Sequence, residues 1–362
     1  MSLMRFDIAD FRNFGEAKLH PHLNGFNFLY GDNGSGKTSL IEAMYYLCRG
    51  RSFRSSTNNS IIHHSANKFS LFAKIVTKNQ QVIPIGLERQ RHGEAKIQVA
   101  GNSGASLAEL AQLMPALLIN SHCYHLLDAG PVFRRKYLDW GAFYLTEDFL
   151  RIWKRYERVL KQRNAALRQR ASKKELLVWS EELITSGVQL DTLRQRFFQQ
   201  LLPFLKETLI ALIELPGLTL SYQRGWSGAL SYEKAIQQSM DKDIYAGYTQ
   251  LGPHRADFKI MMDEHPAKDI LSRGQQKLFV CAMMVAQGAL LQQCINRKPI
   301  YLIDDLPSEL DSVSRSRLIA LLTNQKVQVF LTAVERGLLE GLLTKIPAKM
   351  FHVEHGEVKE VS

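Results

Sequence analysis

The sequence predicts an α/β protein in which a mixed sheet and an antiparallel β layer form a head, split in sequence around an inserted helical lobe. Three observations predict it. An apolar strand, Phe26–Tyr30, runs directly into a glycine-rich stretch at residues 31–36 and then into a helical pattern. Alternating apolar and polar residues, the mark of half-buried strands, dominate the chain up to about residue 100 and return after Gly247. Between them, from about residue 131 to 240, apolar residues recur at helical spacing, as in Phe149, Ile152, Trp153, Tyr156, Val159 and Leu160. The predicted head comprises residues 1–125 and 248–362, and the helical lobe residues 126–247.

In chain order, Met4, Phe6 and Ile8 fall on one face of an opening strand, with Arg5 and Asp7 on the other, and a turn at Asn13-Phe14-Gly15 leads back through Ala17 and Leu19. The strand at 26–30 precedes a helix over 39–47 that Gly50 stops. Alternating stretches at 69–76, 82–88 and 96–99, separated by polar or glycine-containing turns, predict the antiparallel layer. The lobe has one strand signal, at 218–222. After it come a strand at 258–262, a helix from Gln275, apolar strands at 300–303 and 327–331, and a terminal hairpin through His355-Gly356.

At 362 residues and 45% hydrophobic composition the chain can bury a sizeable core. The opening Met-Ser-Leu-Met-Arg-Phe-Asp lacks the apolar centre of a signal peptide, and the longest apolar run, 278–286, has nine residues, so a soluble, cytoplasmic protein without a membrane partner is expected. Cys48, Cys123, Cys281 and Cys294 form no CxxC pair, and His63-His64 and His122 with His125 have no cysteine or carboxylate at ligand spacing; buried thiols outside any disulfide, and no metal cage, are expected. A formal charge of +11 suggests a polyanionic partner. Between residues 151 and 174 ten Lys or Arg face the single acid Glu157, with Arg134-Arg135-Lys136 just upstream. A solvated helix face accounts for such a run as readily as a polyanion site.

Gly31-Asp32-Asn33-Gly34-Ser35-Gly36-Lys37-Thr38 fits GxxxxGK[ST] and lies between a strand and a helix, the context a phosphate-binding loop requires. Its glycines let backbone N–H groups curl around phosphate oxygens, Lys37 neutralises terminal phosphates, and Thr38, followed by Ser39 in the same ATP-binding set, offers a hydroxyl to Mg2+. Kinases, GTPases and motor ATPases share this motif. Ile300-Tyr301-Leu302-Ile303-Asp304-Asp305 is an apolar strand ending in carboxylates, which assigns Asp304 to the metal and Asp305 to an attacking water. An acidic strand end that only caps the next helix is the structural alternative.

Leu271-Ser272-Arg273-Gly274-Gln275-Gln276-Lys277 opens a helix ahead of that strand and resembles the signature of ABC-type ATPases, usually LSGGQ. A serine hydroxyl, an unhindered glycine amide and a helix N-terminus make a second phosphate nest. The resemblance implies that Ser272, Arg273, Gly274 and Gln275 clamp, in trans, the nucleotide held by a second copy. Ser308-Glu309-Leu310-Asp311 then resembles the D-loop that crosses such an interface, and Thr332 stands where many relatives carry a switch histidine.

With these residues the chain resembles the RecF family of bacterial recombination and repair ATPases along nearly its whole length. The resemblance is carried by Asp10-Phe11-Arg12-Asn13, Gly50-Arg51-Ser52-Phe53-Arg54-Ser55, Arg134-Arg135-Lys136-Tyr137-Leu138-Asp139, Gly252-Pro253-His254-Arg255-Ala256-Asp257 and Ser272-Arg273-Gly274-Gln275. It implies an ABC-type, SMC-like P-loop ATPase head with a short helical arm, ATP and Mg2+ as cofactors, and Arg12 at the ATP. It also implies an ATP-dependent homodimer that binds DNA and works with RecR and RecO in loading recombinase at gaps. The basic run then supplies DNA contacts, with Lys154, Arg155, Arg158, Lys161 and Arg163 as candidates, and Arg51 and Arg54 join them at the groove between head and arm.

Two departures stand out. Family members tend to have Pro-Glu where this chain reads Asn120-Ser121-His122-Cys123-Tyr124, and the wider ABC pattern has glutamate at Asp305, so slow hydrolysis is expected. Of the rival readings, a transporter's nucleotide-binding subunit would lack the long basic helical insert. A small-molecule kinase would need no signature motif, and a nuclease would need a further acidic metal cluster. The preferred DNA structure is left open.

Overall fold

A computed structural model describes residues 1–55, 57–305, 310–337 and 346–361. The chain forms two compact units, Met1–Cys123 with Lys277–Ser362, and Tyr124–Gln276. The first unit opens with β1 (Ser2–Phe11), β2 (Phe14–Leu19), β3 (Phe26–Tyr30), α1 (Lys37–Arg49), β4 (Lys68–Val76), β5 (Val82–Gln90), β6 (Ala95–Val99), β7 (Asn102–Ser103), α2 (Leu107–Leu113) and β8 (Ala116–Ile119). The second contains α3 (Pro131–Leu145), α4 (Phe149–Arg168), α5 (Lys173–Leu212), β9 (Leu218–Gln223), α6 (Tyr232–Ala246), β10 (Asp257–Met262), β11 (His265–Pro266) and α7 (Ala267–Ile270). Helix α8 (Arg273–Ile295) leads back to the first unit, which closes with β12 (Ile300–Ile303), α9 (Ser312–Asn324), β13 (Gln328–Ala333), β14 (Ala348–Glu354) and β15 (Glu357–Val361).

The first unit holds α1 between two sheets. One is antiparallel, in the order β2-β1-β4-β5-β6-β7; the other, β15-β14-β3-β13-β12-β8, is parallel except for β15. Strands β12 and β13 are buried at every position, as parallel strands covered on both faces must be. From α1, Leu40, Ile41, Met44 and Leu47 share one core with Phe6, Ile8 and Phe69 of the antiparallel layer and Leu29, Leu302 and Phe330 of the parallel sheet. That packing fixes the helix and therefore the loop that precedes it. In β1 the register shifts between Leu3 and Arg5, so Leu3 is buried where simple alternation pointed to Met4. One extra residue in a bulge moves its neighbours to the opposite face.

Helix α8 is apolar and long enough by composition to cross a membrane, yet 67% of its apolar window is buried within the protein, as in a core helix. Cys48 and Cys281 are buried as expected, whereas Cys294 is exposed near the end of this helix. At the end of β8, Asn120 is buried, and the 3-10 turn Ser121–Leu126 tucks the Cys123 thiol against the Leu118 carbonyl, 3.1 Å away.

In the second unit β10 pairs with β9 along its whole length, from Asp257 opposite Gln223 to Met262 opposite Leu218. That pairing draws residues 248–276 out of the predicted head, so the units divide after Gln276 and not after Gly247. Arg163 also departs from expectation. It is fully buried and donates to Ser180 Oγ at 3.0 Å, Asp243 Oδ2 at 2.8 Å and Thr249 Oγ1 at 2.6 Å, tying α4 to α5 and α6. It is an internal strut, not a DNA contact. Arg155 forms a bidentate pair with Glu182, while Lys154, Arg158 and Lys161 stay exposed.

Two of the motifs that carried the resemblance clasp each other here. Arg134 donates to both oxygens of Asp257, at 2.6 and 3.0 Å, and Arg135 donates to the Ala256 carbonyl. Arg194 bridges Asp139 and the Pro253 carbonyl. His254 accepts from the Tyr156 hydroxyl at 2.7 Å through Nδ1 when its Nε2–H donates to the Thr249 carbonyl at 3.0 Å. Burial pushes this imidazole down to about 4, below the 6.5 of the unfolded chain, so the unfolded state takes up the proton first as pH falls. The contribution of His254 is intact above pH 6.5 and lost toward pH 4, a fall of about 3 kcal/mol. Urea titrations across that interval are expected to show a shallower decline for His254→Gln than for the wild type; parallel curves would refute the assignment.

Candidate functional site

The site lies at the C-terminal ends of β3, β13 and β12, whose registers bring Tyr30 beside Ala333 and Ile303 beside Leu331. Beyond Tyr30 the chain needs Gly31, with φ of 150°, because a Cβ there would come 2.1 Å from the Val353 carbonyl oxygen of β14. The β1–β2 turn braces the loop from the other side, through Asn13 Nδ2 donating to the Ser35 carbonyl at 3.1 Å. Gly36 is the N-cap of α1 and supplies no side chain, so the first amides of the helix and its positive dipole end have no side-chain cap. Gly34, Gly36, Lys37, Thr38 and Ser39 all line one open cleft of about 760 Å³.

Lys37 is nearly buried, and its ammonium donates to the carbonyls of Gly31 at 2.6 Å and Asp32 at 2.8 Å. Desolvation lowers its pKa from the usual lysine value. Ser35 Oγ is buried and has no hydrogen-bond partner among the described residues. Across the cleft Thr38 Oγ1 donates to Asp304 Oδ1 at 3.1 Å, and Thr332 Oγ1 donates to the same oxygen at 2.8 Å while accepting from the Asp305 amide at 2.7 Å. Burial raises the pKa of Asp304, opposed by the hydrogen bonds from Thr332 and Thr38. Asp305 holds φ at 59°, a left-handed conformation that costs a non-glycine residue about 1 kcal/mol and turns the exposed side chain along the cleft.

The opposite wall was not foreseen. Glu42 of α1 is completely buried and accepts from Arg12 Nε at 2.9 Å and Nη2 at 2.7 Å and from the Ser52 hydroxyl, with Arg54 Nη1 3.6 Å away. Arg12 therefore lines the cleft, and Arg54, assigned to a DNA groove, lines it as well. Arg51 is exposed and is not among the lining residues. His63 and His64, ring centroids 4.2 Å apart, complete the rim. The one available signal for Glu42 was a carboxylate on an otherwise apolar helix face.

The other motif residues are placed as follows. Ser272, Arg273 and Gly274 are exposed in the second unit, and nothing crowds Gly274. Ser272 and Gln275 form a reciprocal cap at the start of α8: Ser272 Oγ accepts from the Gln275 amide at 3.3 Å and Gln275 Oε1 accepts from the Ser272 amide at 2.9 Å. Asp311 caps α9 by accepting from the amides of Val313 and Ser314, both at 3.0 Å. Ser308 and Glu309 of the same motif lie outside the described residues.

The family model of the RecF/RecN/SMC N-terminal domain matches residues 2–359. A DNA replication and repair protein RecF from Pseudomonas aeruginosa is 41% identical over 364 residues, covering 100% of this chain and 98% of that protein. The chain belongs to the RecF family. A second RecF, from Shewanella frigidimarina, is 39% identical over 358 residues, 99% of each chain. The solved structure of the recombination mediator protein RecF-ATPrS in the RecFOR pathway shares the fold, with a TM-score of 0.87 at 24% identity over 99% of this chain and 98% of that one. The architecture is thus that of a RecF-type head with its inserted helical arm.

Proposed function

We propose that this RecF-family protein is an ATP-dependent DNA-binding protein of replication and recombinational repair, which pairs with a second copy around ATP. The RecF relatives near 40% identity are named for DNA replication and repair, which supports that reading over a transporter subunit or a kinase. The carrying observation is the uncapped N-terminus of α1, set with Lys37 and Thr38 in a nucleotide-sized cleft. These groups fit a triphosphate: backbone amides donate to phosphate oxygens, and Lys37 exchanges two loop carbonyls for them.

Thr38 and Asp304, already in contact, are the pair that would hold Mg2+, which when bound supplies Lewis-acid stabilisation of phosphate charge. Thr332 fixes the Asp304 carboxylate and the Asp305 backbone together. Asp305 is the group that orients water. Its carboxylate is one methylene shorter than glutamate and positions the water less well, so hydrolysis is slow and serves as a timer. Arg12 and Arg54, steadied by Glu42, bring positive charge to the same cleft. The exposed Ser272 and Gly274 present hydroxyl and amide donors to the nucleotide of the second copy. Lys154, Arg158 and Lys161 contact DNA phosphates, the protein works in the cytoplasm, and RecR and RecO are its partners at gapped DNA.

Analytical ultracentrifugation with labelled gapped DNA, with and without ATP, tests this reading. Wild type is expected to sediment as a dimer with ATP, while Ser272→Arg binds ATP and stays monomeric. ATP-driven pairing of that variant at wild-type level would refute the placement of the signature turn.

A further inference from the structure

Tyr245, near the end of α6, is 95% exposed, and Tyr248, in the loop that follows, is 43% exposed with the Arg255 guanidinium 5.7 Å from its ring centroid. Packing leaves Tyr245 almost wholly uncovered and Tyr248 partly so. Both belong to a segment held against α4, because the amide and hydroxyl of Thr249 donate to Asn164 Oδ1, each at 2.8 Å. Asn164 in turn lines a groove of about 500 Å³ with Arg158, Lys161 and Arg168, and Glu157 is the one acid among its lining residues. Gly247, between the two tyrosines, stands beside the aliphatic stem of Arg168, which a Cβ at Gly247 would meet at 3.7 Å.

We infer that this face of the second unit takes an unpaired nucleic-acid strand, its phosphates along the α4 groove and its bases stacked on Tyr245 and Tyr248. The inference rests on the DNA-binding reading above and names the structure that reading leaves open. A basic groove alone serves duplex and single strand alike, since phosphates are common to both. Exposed aromatic rings discriminate, because a paired base keeps its π-faces inside the helical stack while an unpaired base offers them. An acidic protein surface would engage Arg158, Lys161 and Arg168 but would leave the rings without a function.

The test compares full-length protein on a gapped duplex carrying 2-aminopurine in the gap with the intact duplex of the same sequence. Wild type is expected to quench 2-aminopurine and to prefer the gapped form. Tyr245→Ala should lower that preference by about 10- to 100-fold, the effect of losing one stacked base. Tyr245→Phe should keep it, since the ring and not the hydroxyl carries the contact. The exposure of Tyr245 makes both variants safe for folding. A preference unchanged in Tyr245→Ala, or equally lost in Tyr245→Phe, would overturn the strand assignment while leaving DNA binding in place. A wild type that binds neither DNA would overturn both readings together.

Discussion

Lys37→Ala is expected to weaken ATP binding by about 10- to 100-fold, the loss of charge-assisted hydrogen bonds to phosphate, and to lower hydrolysis by about 10²- to 10³-fold. The structure shows why no neighbour substitutes. Lys37 is the loop's own cation, reached from the first turn of α1 and held ready by the carbonyls of Gly31 and Asp32. Arg12 and Arg54 line the same cleft, but they sit beside Glu42 at its opposite wall. Nucleotide titration by fluorescence and phosphate-release assays on the folded variant check both numbers. Affinity within about twofold of wild type would remove the lysine from the phosphate site, since even one charged hydrogen bond contributes more than that.

Arg163→Ala should cost about 3 to 5 kcal/mol, the penalty for leaving Asp243 buried with no cation. Both side chains have no exposed surface, and Ser180 and Thr249 lose their shared donor with the guanidinium. Denaturant unfolding followed by circular dichroism measures the cost. The paired replacement Arg163→Met with Asp243→Leu should recover most of the loss, because neither charge of this pair is then left without its partner. A loss below about 1 kcal/mol for Arg163→Ala would mean that water reaches the pair.

What could be read ahead of the structure follows from how local each signal is. The phosphate loop and the carboxylates after β12 are short motifs whose geometry is set by adjacent residues, and Asn33, Gly34, Gly36, Lys37, Thr38, Asp304 and Asp305 line one cleft. The cleft's other wall depends on the segment between α1 and β4 folding back, with His63 donating its amide to the Asp10 carbonyl and Phe11 bridging to Ile62. No local pattern announces that. Arg163 was misread because it was counted as one charge in a basic run. Its spacing from Tyr156, Val159, Leu160 and Leu167 puts it on the apolar stripe of α4, but its counter-ion lies 80 residues further along the chain. The boundary between units failed for the same reason: β10 reads as a strand, and only its pairing with β9 reveals which unit owns it.

The hairpin of β14 and β15 has a consequence for synthesis. Val353 closes over Gly31, Gly356 donates its amide to the Ser35 carbonyl, and the Gly356 backbone abuts Asn13. The loop at residues 31–38 is therefore fully braced only once the chain has been made past residue 356. A chain not yet elongated past residue 353 lacks the wall that closes over Gly31, so the loop takes its final shape long after its own residues have been made.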